Sequence, residues 1–255
     1  MNRIEKAFEK ETALISFLTG GDPDINTTEK LIYALEEAGA DLTEIGIPFS
    51  DPIAEGIVIQ SADERALAAG CTTDKLFEMV KKVRKNTEIP LVFMTYLNPI
   101  IVYGKDKFLS NCKNSGIDGI IVPDMPFEEK EELSEECKIN DIELISMIAP
   151  TSHERVSRIA SEAAGFLYCV SSLGVTGTRT DIKTDAQEMI TYAKKFTSIP
   201  CAVGFGISTP EQAKMVSEYA DGVIIGSAIV KIIAEHGIDS IDPVKKYIRE
   251  IVEAL

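Results

Sequence analysis

The chain has 255 residues, with 26 Lys+Arg against 41 Asp+Glu and a net charge of −15. Such a charge repels nucleic-acid backbones and anionic membrane surfaces at long range, which argues against nucleic-acid and membrane partners. Hydrophobic residues make up 45% and charged residues 26%, a globular rather than disordered balance. The N-terminus has no apolar signal core and no run is long enough to span a membrane, so a cytoplasmic location is expected. Five scattered cysteines (71, 112, 137, 169 and 201) without a CxxC pair read as reduced thiols.

Eight runs rich in β-branched and aromatic residues read as strands: 12–18, 42–46, 91–96, 117–122, 142–148, 165–170, 201–204 and 222–226. Helical periodicity fills the intervals, at 26–39, 73–85, 108–115, 128–138, 154–163, 186–196, 210–219, 228–235 and 243–254. Parallel strands joined by helical crossovers, eight units in this length, predict an α/β fold of the (β/α)8 TIM-barrel type. No linker or charge block divides the chain, so residues 1–255 are expected to form one domain with extra helices. The longest gap follows the second strand, which places extra structure at the catalytic end of the barrel.

Glycine-bearing segments follow the last three predicted strands: Gly174 to Gly177, Gly204 to Ser208, and Gly226-Ser227. Glycines admit close backbone approach, and helix N-termini attract anions, so these segments together outline a phosphate cradle. Each taken singly is also consistent with an ordinary turn. In the second strand, alternation places Leu42, Glu44 and Gly46 on one face. A Glu among apolar strand neighbours would be poised for proton transfer if it faces the barrel mouth. Its plainer reading is a strand-end carboxylate paired with an Arg or a backbone N–H. The loop beyond carries Asp51 and Glu55, stiffened by Pro48 and Pro52. The two histidines, His153 and His236, stand at helix ends and do not suggest a shared metal site. No predicted strand contains the lysine a Schiff-base enzyme needs at a strand end. Carboxylate acid/base chemistry on a phosphorylated substrate remains.

The segment EIGIPFSDPIAEG, residues 44–56, closely resembles the signature of the tryptophan synthase alpha chain family. FLTGGDP, MTYLNPI, VPDMP, GVTG, GFGIS and IIGSAIVK extend the similarity over nearly the whole chain in the same order. The resemblance implies retro-aldol cleavage of indole-3-glycerol phosphate to indole and glyceraldehyde 3-phosphate. It assigns Glu44 the proton shuttle between indole C3 and the glycerol hydroxyl. Glu55 would attend the indole N–H, and Tyr168 would help hold the catalytic Glu. Phe17, Met94, Tyr96, Ile121 and Ile224 would line the indole pocket, although each also has a plain core reading. Thr176, Gly177, Phe205, Gly206, Gly226 and Ser227 would surround the substrate and its phosphate. The implied partner is a pyridoxal-phosphate beta chain in an α₂β₂ assembly, facing Pro48 and Asp51. No cofactor is implied in this chain.

Glu55 departs from the Asp common in the family, and Ile57 and Val58 replace a frequent Pro-Thr pair. One added methylene shifts the carboxylate by roughly 1.5 Å, so a re-fitted loop is expected. The polar segment 172–185 is expected to be a mobile lid, or alternatively an ordered surface loop. Three other roles stay open on sequence alone: a weakly catalytic activator of a beta chain, a stand-alone indole-3-glycerol-phosphate lyase, and a different phosphosugar lyase or isomerase.

Overall fold

The computed structural model describes residues 2–150, 152–170, 179–204 and 206–255; for residues 179–185 it describes the backbone alone. Eight strands close into a parallel barrel in sequence order, β1 to β8, with β8 pairing back to β1. They are β1 Ala13–Thr19, β2 Leu42–Gly46, β3 Leu91–Met94, β4 Gly119–Ile121, β5 Glu143–Ile148, β6 Ala164–Val170, β7 Cys201–Gly204 and β8 Gly222–Ile225. The eight expected strands are all present, with shifts of a residue or two at several ends.

The helices are α1 Arg3–Ala7, α2 Ile25–Ala38, α3 Ile57–Ala68, α4 Thr73–Val83, α5 Leu97–Tyr103 and α6 Lys105–Ser115. They continue with α7 Glu131–Ile139, α8 His153–Ser161, α9 Arg179–Ala193, α10 Pro210–Ser217, α11 Ser227–His236 and α12 Ile241–Val252. Local chemistry sets their ends. Asp24 caps α2 by accepting the N–H groups of Asn26 and Thr27, and Gly39 ends it with φ 108°, a conformation that favours glycine. Thr209 and Gln212 form a capping box on α10, with Pro210 at its first turn.

Three helices go beyond the expected series. α3 is the extra structure expected after the second strand. α5 follows β3 directly. α1 packs under the barrel: Ile4 and Ala7 join the interior cluster of Ile15, Leu42, Val92, Ile121, Ile145, Phe166, Tyr168, Ala202 and Ile224. Phe8 stacks on Phe166 with ring centroids 5.6 Å apart, so the N-terminal end of the pore is plugged. Arg3 ties this plug to Asp118 at 3.1 Å, and Arg84 holds the same carboxylate at 2.6 Å. A larger apolar cluster fills the space between the barrel's outer face and the helices.

The expected lid falls largely on residues 171–178, outside those described; its far end, from Arg179, is the first part of α9. All five cysteines are buried and free. Among the described residues, no helix is long and apolar enough to cross a membrane.

α3 is anchored to the loop after β1 by one ion pair. Arg65 grips Asp22 through Nε and Nη2, at 2.8 and 2.7 Å, and Asp22 is buried. Removing one partner leaves the other charge unpaired in a desolvated place. We expect Arg65→Leu to cost about 3 kcal/mol of stability, read from urea unfolding.

Candidate active site

Strand register builds the site. Phe17 pairs with Glu44, and Glu44 with Val92, so Glu44 points into the barrel like Leu42 two residues before it. Its side chain is fully buried, and neither carboxyl oxygen has a hydrogen-bond partner. Burial alone raises its pKa to about 8, so at neutral pH it holds a proton. The sequence left open a strand-end carboxylate paired with an Arg or an N–H; the bare oxygens exclude that arrangement.

Tyr168 lies in the same interior layer and feels the Glu44 charge, while burial pushes its own pKa well up. Tyr168, expected to help hold Glu44, makes no hydrogen bond to it. The hydroxyl instead lies over Gly204, where a Cβ would stand 2.5 Å from it. Phe17 packs in the same manner on Gly46 and Gly226, whose Cβ atoms would fall 2.8 and 3.2 Å from its ring. Glycine at these positions makes room for the aromatic side chains at the mouth.

Above this layer opens a cavity of about 1580 Å³. Phe17, Glu55, Met94, Tyr168, Gly206, Ile224, Gly226 and Ser227, all proposed from sequence, line it. Glu44 does not form its wall; Phe17, its register partner, and Tyr168 do. Gly206 has φ 80°, and Gly226 caps α11, so the expected cradle places a positive-φ turn and a ten-residue helix N-terminus on one cavity wall. Thr176, Gly177 and Phe205 lie outside the described residues. Among the described residues no cluster of metal-ligating side chains occurs, and neither histidine lines the cavity.

Three expectations need correction. Tyr96 is buried and does not line the cavity; its hydroxyl accepts the Ala54 N–H at 3.0 Å and lies beside Glu55, so it braces the loop. Ile121 lies in the interior cluster, away from the cavity wall. Pro48, expected to face a partner, is buried; Asp51, expected to do the same, is exposed. Sequence reasoning also missed the cations at the cavity. Lys130 and Arg155 are paired with Glu162 and Glu128, while Lys231 projects from the second turn of α11. Their signal was helical spacing after the strands, indistinguishable from a solvated face.

Glu55 is half-buried beside Tyr96 and Asp63 of α3, and burial raises its pKa. The two glutamates therefore occupy unlike environments, one fully buried in the pore, the other half-buried at the rim beside Tyr96 and Asp63. Such a division between carboxyls at the open end of a (β/α)8 barrel fits the class of enzymes that work by carboxylate acid/base catalysis.

The family model described as tryptophan synthase alpha chain matches residues 4–254, and the chain belongs to this family. It is 46% identical over 262 residues to the tryptophan synthase alpha chain of Thermoanaerobacter sp. (strain X514), covering 100% of both chains. It is 42% identical to that of Lacticaseibacillus casei, covering 98% of this chain and 94% of the relative. Among solved structures, tryptophan synthase subunit alpha from Legionella pneumophila str. Paris superposes with a TM-score of 0.91 at 39% identity, covering 100% of this chain and 98% of that one. A chain of the tryptophan synthase α₂β₂ complex from Pyrococcus furiosus gives 0.88 at 41% identity, with 94% and 98% covered. Membership carries the family's lyase activity on indole-3-glycerol phosphate.

Buried Glu44 couples stability to pH. Its folded pKa of about 8 lies above the ordinary carboxyl value of 4.5. The contribution is complete below pH 4.5 and is lost progressively as pH rises through about 8. We expect Glu44→Gln to flatten the fall in stability between pH 5 and pH 8 by roughly 2–3 kcal/mol, measured from denaturant midpoints at each pH.

Proposed function

We propose that Glu44 and Glu55 divide the proton transfers of indole-3-glycerol phosphate cleavage. The observation that carries this reading is the unpartnered, protonated carboxyl of Glu44 in the pore, next to the cavity wall. Glu44 gives its proton to indole C3, with the electron pair drawn from the ring nitrogen. Glu55, as the carboxylate, accepts the indole N–H and stabilises the indolenine-like intermediate. The Glu44 carboxylate then takes the proton of the hydroxyl on the adjoining carbon. The O–H electron pair becomes the aldehyde C=O, and the carbon–carbon bond breaks. Its electrons return to the ring as indole regains its N–H. The proton removed from oxygen equals the one delivered to carbon, so Glu44 ends as it began.

Glu44 has no exposed surface, so its side chain swings toward the cavity to meet the substrate. Phe17, Met94 and Ile224 offer the indole an apolar wall. The phosphate is held at Gly206, Gly226 and Ser227, with Thr176, Gly177 and Phe205 completing the cradle, by backbone N–H groups and the α11 dipole. Tyr168 limits the positions open to Glu44 by packing and not by a hydrogen bond.

Residues 1–255 work as one cytoplasmic domain without a cofactor of their own. Indole passes to a tryptophan synthase beta chain that carries pyridoxal phosphate. The neighbour from Pyrococcus furiosus comes from an α₂β₂ complex. Around Asp51, Ile53 and Ile57 are each 79% exposed, and on α5 Ile101 and Val102 are 60% and 79% exposed. These apolar side chains follow β2 and β3, on the face where the cavity opens, and suit burial under a partner.

An indole-release assay tests the catalytic assignment. Glu44→Gln is expected to lower kcat by on the order of 10³-fold or more, and Glu55→Gln by 10²-fold or more. A Glu55→Gln variant as fast as wild type removes Glu55 from the reaction. Replacing Val102 with Glu is expected to weaken activation by the beta chain, leaving phosphate-ester affinity of the isolated chain unaltered.

A further inference from the structure

A second carboxyl stands behind Glu55. Asp63 on α3 is only 3% exposed, and its carboxyl lies against that of Glu55. Glu55 Oε2 and Asp63 Oδ2 are both buried without a donor. Ionised carboxylates can only accept hydrogen bonds, so two in contact either share a proton or repel each other.

The surroundings decide which one keeps the proton. Arg65, on the same helix, is committed to Asp22 through Nε and Nη2. Asp22 adds its negative charge on the Asp63 side, from the loop after β1. The Phe49 backbone faces Asp63 from the loop after β2. On the other side, Tyr96 reaches Glu55 from the end of β3. Its oxygen already accepts the Ala54 N–H, which leaves its own proton to donate to Glu55. Asp63 is also the more deeply buried of the two. Tyr96 therefore favours charge on Glu55, and burial with Asp22 disfavours it on Asp63.

We propose that Asp63 is a positioning residue for the cleavage reaction: it keeps the proton of the pair, donates it to Glu55, and holds the Glu55 carboxylate toward the cavity as the anion that meets the indole nitrogen. This rests on the reading of Glu55 given above. It also supplies the re-fitted support that the longer Glu side chain requires.

The pair has a pH limit. Burial and the Glu55 charge raise the Asp63 pKa to about 8. As pH rises through that value the pair gains a second negative charge, and repulsion drives Glu55 from its place. Glu44 loses its proton over the same range, so the alkaline limb of kcat/KM for the wild type should fall with two protons. Asp63→Asn can donate to Glu55 but cannot ionise, and its limb should fall with one. Asp63→Ala should lower kcat at pH 7 by on the order of tenfold, and Asp63→Asn should restore most of it.

The assay is indole release by the full chain from pH 6 to 9.5, with infrared difference spectra of the Glu44→Gln protein as a measurement that needs no change at Asp63. In those spectra one protonated-carboxyl C=O band should persist at pH 7 and vanish by pH 9.5. A two-proton limb in Asp63→Asn, an Asp63→Ala variant with wild-type kcat, or no protonated-carboxyl band at pH 7 each overturns the proposal. If these fail while Glu55→Gln is slow, only the role of Asp63 falls; if Glu55→Gln matches wild type, the reading of Glu55 falls first.

Discussion

The site depends on the burial of one carboxyl group. Glu44 sits in a layer otherwise made of Phe, Val, Ile and Tyr, with no partner for either oxygen. Unmatched burial of this kind would unfold many small proteins if the group stayed charged. The barrel accommodates it by keeping the group neutral, which provides a proton donor at neutral pH. The destabilisation and the chemistry come from the same desolvation. The surrounding closed sheet, with every strand paired on both sides, makes the arrangement rigid enough to persist.

The second carboxyl is treated differently. Glu55 meets Tyr96, Ala54 is fixed on the Tyr96 hydroxyl, and Gln60 donates to the Glu55 carbonyl at 2.8 Å. α3 beneath them is fastened through Arg65 to Asp22. The loop after β2 is thus braced at its backbone and through the helix that follows it. Phe17 joins the two regions, pairing in register with Glu44 and clustering with Ile59 and Ala62 of α3.

Much of this was legible in the residues. Alternation along β2 placed Glu44 with Leu42 on the inner face, and the structure has them there. Strand positions followed from apolar runs because a parallel barrel buries both faces of each strand. The five residues of α1 were not legible, since so short a helix has no periodicity and is held by its contact with Phe166 and the barrel floor. Tyr96 shows the opposite difficulty: a motif supplied the residue but not its direction, and the ring turned to the loop. Asp63 gave no signal, because an acidic residue on an amphipathic helix ordinarily faces water. Its burial follows from how α3 lies against the loop carrying Glu55, a tertiary fact absent from local sequence.

The plug formed by Ile4, Ala7 and Phe8 has a consequence for traffic. With its floor filled, the barrel offers no passage along its axis, so traffic is directed to the mouth, the doorway at the C-terminal ends of the strands. Whatever covers that doorway governs admission and departure together.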